Sequence, residues 1–354
     1  MNVRKRPQRA GFSCTNVDGK NLIGSGRAQL RPACVIGKRA PNVEVTKQTV
    51  YKPKVLKSVR RAADCVQMQS VSDVLFLGDA NQLASALPNE SIDLIFASPP
   101  YCMGKEYESS SSVEDFRDCH VALVPDLIRV LKPGGSICWQ VGYHITRQQM
   151  TPLDFVAHEI FSRSGELRLR NRIIWSFAHG LHAKKRFSGR HEVVLWYTKG
   201  NAPEFNLDAV RVPQKYPGKK SYQGPNKGKL SGNPLGKNPG DVWDIPNVKG
   251  HHIEKTAHPC QFPVALPLTL VRALCPDAGL VFDPFMGVGS TGVAAAMESR
   301  RFIGGEIVKD YLDIAVQRIT DARSGNARIR PVEQPIHTPK PTDAVARKPD
   351  HFRG

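Results

Sequence analysis

The chain reads as an α/β protein built on a wound, mostly parallel sheet, and three observations carry that reading. From Asp73 onward, apolar runs of strand length alternate with segments of helical period, the signature of strands joined by crossover helices. One run, Ile92 to Ala97, ends abruptly in Ser98-Pro99-Pro100-Tyr101. Another, Leu280 to Asp283, leads straight into Pro284-Phe285-Met286-Gly287-Val288-Gly289-Ser290-Thr291-Gly292, then a helical pattern, then Phe302 to Glu306. That is a complete strand, glycine turn, helix and strand unit.

Taken in order, residues 1–65 are rich in Lys and Arg (Arg4, Lys5, Arg6, Arg9, Lys38, Arg39, Lys52, Lys54, Arg60, Arg61), poor in acids and without sustained apolar period. They read as a flexible basic arm, either a leader without a role or a sequence-independent phosphate clamp. The next block, 70–200, opens with a strand over Val74 to Leu77, a turn at Gly78-Asp79, a short helix from Asn81 to Leu87 and the Ile92 strand. A helix over 114–131, with Pro125 expected to kink or restart it, stops at Lys132-Pro133-Gly134-Gly135. Strands at Ser136 to Gly142, Arg172 to Trp175 and His191 to Tyr197, with a helix from Pro152 to Ser162, continue the alternation.

Composition changes over 201–250. Between Ala209 and Gly240 stand Arg211, Lys215, Lys219, Lys220, Lys227, Lys229 and Lys237 with no acidic residue, interleaved with Tyr216, Tyr222, Gln223 and Asn226 among Gly and Pro. Such a stretch makes no core of its own. It is either a solvated linker or a loop module lying on nucleic acid, with lysines on phosphates and amides or Arg on base edges. The block 251–324 then carries a helix from Pro263 to Leu274 and the glycine-turn unit, and the polar, Pro-rich tail 325–354 is expected to be disordered.

The 354 residues suffice for one large core with an insert, and a net charge of +18 calls for a polyanionic partner. Eight cysteines with no Cys-x-x-Cys pair fit a reducing cytosol. No run approaches the length of a membrane span, so a soluble, intracellular protein is expected.

The chemistry sits in two places. The double proline makes a stiff elbow that offers the Ser98 hydroxyl and the Pro99 carbonyl as acceptors, with an aromatic ring beyond them, a seat for a planar amino group. Taken alone, the tetrapeptide reads first as an ordinary strand-ending turn with a buried tyrosine. The glycine turn lets a ligand approach the backbone through Gly287 and Gly289. It lacks the Lys of a triphosphate loop and the full dinucleotide spacing. Glu306, at the end of the next strand, is placed to chelate ribose hydroxyls, so a bound adenosine is indicated.

These residues resemble a family. Asp283-Pro284-Phe285-Met286-Gly287-Val288-Gly289-Ser290 resembles the S-adenosylmethionine motif of amino-methylating DNA methyltransferases, and Ser98-Pro99-Pro100-Tyr101 resembles their catalytic tetrapeptide. The catalytic motif precedes the cofactor motif with the basic insert between them, as in the β-class, and the likeness covers roughly 73–320. The resemblance implies a Rossmann-like fold dependent on S-adenosyl-L-methionine. Asp283, Phe285, Gly287 and Gly289 would hold the methionine end, Glu306 the ribose and Asp79 the adenine amino group, although Gly-Asp after a strand is also common turn chemistry.

The implied reaction is methylation of an exocyclic amino group in double-stranded DNA. Ser98 and the Pro99 carbonyl accept its hydrogens, and Tyr101 stacks on the flipped-out base. Ser at the first motif position resembles the cytosine-N4 subgroup, with adenine N6 the alternative and a catalytically inactive DNA- or RNA-binding relative a further one. Arg211, Lys215, Lys219, Lys220, Lys227 and Lys229 are the expected DNA contacts. No metal is expected, because the spacing of His251, His252, His258 and Cys260 fits no usual ligand set. The resemblance places the protein in a bacterial or phage-encoded setting, cytoplasmic and nucleoid-associated, with a homodimer and a cognate restriction endonuclease as open partners.

Overall fold

The computed structural model describes residues 51–332, apart from 69, 71, 103–111, 148 and 181, and a few positions beyond. The first fifty residues of the expected arm lie outside the described residues. In chain order the elements are β1 Lys54–Leu56, α1 Val59–Gln67, β2 Asp73–Leu77, α2 Ala80–Ala86, β3 Ile92–Ala97, α3 Val113–Val130, β4 Leu131–Val141, β5 Tyr143–Thr146, β6 Gln149–Pro152, α4 Leu153–Ser162, β7 Leu167–Ser176, β8 His191–Lys199, β9 Val242–Asp244, α5 Ala265–Leu274, β10 Leu280–Asp283, α6 Ser290–Met297, β11 Arg301–Glu306 and α7 Lys309–Arg323.

Nine strands form one sheet in the order β1-β2-β11-β10-β3-β4-β8-β7-β9, and β5 pairs with β6 apart from it. Neighbours run parallel except at β8, which is antiparallel to both β4 and β7. Because side chains alternate along a strand, Ile95 and Ala97 enter one apolar cluster with α1 to α4, while Leu94 and Phe96 enter another with α5 to α7. Both faces are covered, as a parallel sheet requires. The blocks 70–200 and 251–324 are therefore not two sequential bodies: β10 and β11 stand between β2 and β3.

Local chemistry explains the elements. Ser112 and Asp115 form a reciprocal cap at the start of α3, which satisfies amides that have no partner within the helix. The helix then runs unbroken through Pro125, contrary to expectation. The ring costs only a bond to the carbonyl of Val121, a residue 44% exposed, where water can take its place.

Two boundaries are corrected. The basic arm does not extend to 65, because β1 pairs in register with β2 and α1 buries Ala62, Cys65 and Val66. Tyr51 donates a 2.6 Å hydrogen bond to buried Asp73. The tail does not begin as disorder either: Ala327 and Ile329 pack against the α5 to α7 cluster, and the Arg330 amide donates to Glu254 at 3.1 Å.

Candidate active site

Strands β3 and β10 are parallel neighbours, with Phe282 opposite Ile95, so the Ser98 elbow and the Asp283 turn leave the sheet at the same edge. From there the chain winds to β4 on one side and to β11 on the other. Such a reversal opens a crevice at the carboxyl ends of the strands. The edge continues through β11 and β2, where Glu306 lies opposite Leu77 and the Gly78 amide donates to the Glu306 carbonyl at 3.0 Å. Reading β2, β11, β10 and β3 across the sheet therefore aligns Asp79, Glu306, Gly287 and Ser98 in a row. At about 4.8 Å per strand the row spans ~14 Å, a span suited to an extended nucleoside with an amino-acid arm.

Each member has a local cause. Asp79 is the N-cap of α2, accepting from the Asn81 and Gln82 amides at 2.9 and 3.1 Å. That capping role leaves it at the β2 end of the row. Glu306 accepts from the Val308 amide at 2.7 Å and from the amides of Gly287 and Ile307, so one carboxylate ties the end of β11 to the glycine turn. Burial raises its pKa against those donors.

Asp283 is fully buried, and its two oxygens accept from the Phe285 amide at 3.0 Å and the Thr291 hydroxyl at 2.5 Å. It shapes the turn. Burial pushes its pKa up to about 7 despite those two bonds. Phe285 packs partly buried toward Trp139, ring centres 6.2 Å apart, joining the turn to β4.

The two glycines differ. Both have positive φ, +52° at Gly287 and +77° at Gly289. A Cβ at Gly287 would face His258 Nε2 at 3.4 Å, whereas one at Gly289 would meet the Cβ of Ala315 at 2.9 Å. Gly287 is thus the half-buried member, in ordinary contact range of His258, and Gly289 is there for the close approach of α7. His258, weighed in the sequence only as a metal ligand and set aside, stands instead beside the glycine turn. It packs its ring on Tyr311, centres 4.6 Å apart, and burial, with Lys255 and Arg318 adding, pulls its pKa down to about 4.

At the elbow Pro99 is buried and Ser98, Pro100 and Tyr101 are half-buried. The Tyr101 ring packs on the α1 to α4 cluster beside Gly142, where a Cβ would sit 3.1 Å from the ring. Its hydroxyl receives Gln140 Nε2 at 2.8 Å and donates to Glu192 Oε2 at 3.2 Å, and Gln140 also donates to that carboxylate. Burial, and then the Glu192 charge, drives the Tyr101 pKa well above its ordinary value, while a hydrogen bond with Ser98 opposes. Burial likewise raises Glu192 against the bonds from Tyr101 and Gln140 and the charge of Lys249. Glu192 and Gln140 carried no sequence signal. They meet Tyr101 only because β8 runs antiparallel to β4, placing Val193 opposite Val141.

The basic insert leaves from the other end of β8, at Lys199, and carries a single 3-10 turn at Asp208–Val210 and isolated bridges Val212 to Lys237 and Lys220 to Leu230. Lys215, Lys219, Lys220, Lys227 and Lys229 are exposed. Arg211 is not: its side chain is 14% exposed, paired with Asp208 at 2.6 Å and bonded to the Gly236 carbonyl at 3.0 Å. Its guanidinium clamps the base of the insert. Among the described residues no group of three or more His, Cys, Asp or Glu is arranged to hold a metal, and no helix is long and apolar enough to cross a membrane.

Comparison with known proteins gives the same picture. The family model N6_N4_Mtase, described as DNA methylase, matches residues 92–317. The Type II methyltransferase M.BglII of Bacillus subtilis is 44% identical over 244 residues, 69% of this chain and 68% of that protein. The solved PvuII DNA methyltransferase, cytosine-N4-specific, shares the fold with a TM-score of 0.57 at 21% identity, over 77% of this chain and 94% of its own. A Thermus thermophilus protein solved in complex with S-adenosyl-L-methionine has a TM-score of 0.50 at 24% identity, over 70% of this chain and 93% of its own. The donor set fits that cofactor: an acid at the end of β11, a half-buried glycine in the turn after β10, and no lysine in that turn. With its catalytic and cofactor motifs in permuted order on one sheet edge, the chain belongs to the β-class amino-methylating DNA methyltransferases, the N6/N4 DNA methylase family that uses S-adenosyl-L-methionine.

Proposed function

We propose that this enzyme methylates the exocyclic N4 of a cytosine flipped out of duplex DNA at a specific sequence, as the modification partner of a restriction endonuclease in the bacterial cytoplasm. The observation that carries the reading is the Ser98 elbow beside the cofactor turn. Asp283, Phe285, Gly287 and Glu306 would hold the cofactor, which supplies an electrophilic sulfonium methyl group when bound. An exocyclic amino nitrogen is a poor nucleophile, because its lone pair is delocalised into the base. Accepting its hydrogens at Ser98 Oγ and the Pro99 carbonyl favours a pyramidal nitrogen with the pair free for in-line attack. Ser98 is hydrogen-bonded with Tyr101, and Tyr101 donates to Glu192; with its proton turned to Tyr101, Ser98 Oγ would be an acceptor toward the base. The same file of groups offers the departing amine proton a route to a carboxylate. Stacking on the Tyr101 ring holds the base, at about 1–3 kcal/mol, while the exposed insert lysines sit on phosphates.

Nucleoside mass spectrometry of DNA treated with labelled cofactor tests this directly. The expected product is N4-methylcytosine. N6-methyladenine would move the reading to the adenine branch of the family, and a label in neither base would overturn it.

A further inference from the structure

The connection from β7 to β8, residues 177–190, carries the most exposed large apolar side chain among the described residues. Phe187 is 99% exposed. The turn that presents it is braced. The Ala183 amide donates to Ser188 Oγ at 3.1 Å, the Phe177 amide closes the loop on the Arg190 carbonyl at 3.0 Å, and Arg186 lies over the Tyr143 ring at 5.6 Å. Gly189 passes so close under the Tyr143 hydroxyl that a Cβ there would clash at 2.1 Å. Phe187 is therefore held outward by a packed turn. Around it stand Lys184, Lys185, Arg186 and Arg190, with no acidic residue between Phe177 and Arg190.

Topology fixes where this turn lies. Because β8 is antiparallel, its first residues sit at the same sheet edge as the Ser98 elbow, and Glu192 touches Tyr101. The five residues from Phe187 to Glu192 reach at most about 18 Å. An apolar ring ringed by cations, within that reach of a pocket for an extruded base, matches what duplex-distorting proteins use: a wedge among the bases with basic residues on the flanking phosphates.

We propose that Phe187 enters the base stack at the position vacated by the target base and so holds the duplex open while the base occupies the Tyr101 pocket. The inference rests on the reading that the target is flipped from duplex DNA. The role is one of positioning, and it predicts that Phe187 matters only where a base must be pulled from a paired stack.

The test uses the full-length enzyme and two oligonucleotide duplexes carrying the site that the parental enzyme methylates on plasmid DNA. One has the target base paired, and the other has an abasic position opposite it. Under single-turnover conditions Phe187→Ala should slow methylation of the paired duplex roughly tenfold or more and that of the abasic duplex little, since unstacking there is already cheap. Phe187→Trp should restore the paired rate. Thermal stability and cofactor affinity of both variants should match the parent. A Phe187→Ala enzyme that works at the parental rate on paired DNA, or loses equally on both duplexes, overturns the wedge and leaves base methylation standing. A parental enzyme that labels no base of plasmid DNA overturns both.

Discussion

Replacing Ser98 with Ala isolates the acceptor hydroxyl from everything else at the elbow. The backbone there is set by Pro99 and Pro100, and Ser98 is half-buried, so the substitution leaves the turn intact. One neutral hydrogen bond, that with Tyr101, is removed from the folded state, about 0.5–1.5 kcal/mol. That is small against a global stability on the order of 5–15 kcal/mol. The transition state is hit harder. A preorganised partner for a developing charge is worth about 2.7–4 kcal/mol, a hundred- to a thousand-fold in rate. Single-turnover transfer from labelled cofactor, at saturating DNA, should show that fall with both binding constants near parental. Tyr101→Phe provides the contrast, because it keeps the ring and the Ser98 oxygen but removes the bonds to Gln140 and Glu192. It should lower the rate less than Ser98→Ala while retaining base capture. A folded Ser98→Ala enzyme that binds both ligands and transfers methyl at the parental rate removes the tetrapeptide from the mechanism.

Three further outcomes are expected. Asp283, held near pKa 7 by burial, lies above its unfolded value of about 3.9, so its contribution to stability is complete below pH 4 and declines as pH rises through 7. A sulfonium ligand favours the carboxylate, so affinity for S-adenosyl-L-methionine should rise through that same interval, with proton release in calorimetry. Asp283→Asn should flatten the profile, and an affinity that falls with pH contradicts the assignment. Gly289→Ala must push on Ala315 and should lower thermal stability by about 1–3 kcal/mol, whereas Gly287→Ala should weaken cofactor binding more than stability. Equal effects on both readouts would erase the distinction. Changing Lys215, Lys219, Lys220, Lys227 and Lys229 to Gln should reduce the salt slope of DNA binding by about 0.9 for each phosphate no longer neutralised. An unchanged slope makes the insert a linker.

What was legible in the sequence follows from how far apart the interacting residues lie along it. The strands that end in Pro99 and in the Asp283 turn announce themselves through local composition, and so does the glycine turn. The period of Ala62, Cys65 and Val66 was present too, at helical spacing, but Lys54, Lys57, Arg60 and Arg61 around it read as arm. The Glu192 and Gln140 pair could not be read, since an antiparallel strand brings residues 91 and 39 positions from Tyr101 to its hydroxyl. Nor could Arg211, whose charge is consumed by Asp208 and Gly236 inside its own loop. Net charge locates the partner class; only geometry tells a phosphate-facing cation from a structural one.

The interleaving of strands has a consequence for how this chain can be made and cut. When β3 leaves the ribosome, its neighbour β10 is still more than a hundred and eighty residues away. The fully buried stretch Ile92 to Ala97 must therefore wait, bare on one side, through the synthesis of everything from α3 past the insert to α5. A protease cut among the exposed residues 215–230 would sever no strand of the main sheet. It would leave an N-terminal piece with a two-strand gap between β2 and β3, and a C-terminal piece holding the β11-β10 pair that fills it. Neither piece has a closed core alone. The two should reassemble into a working enzyme on mixing, so the insert is the natural place to divide this methyltransferase into complementing fragments.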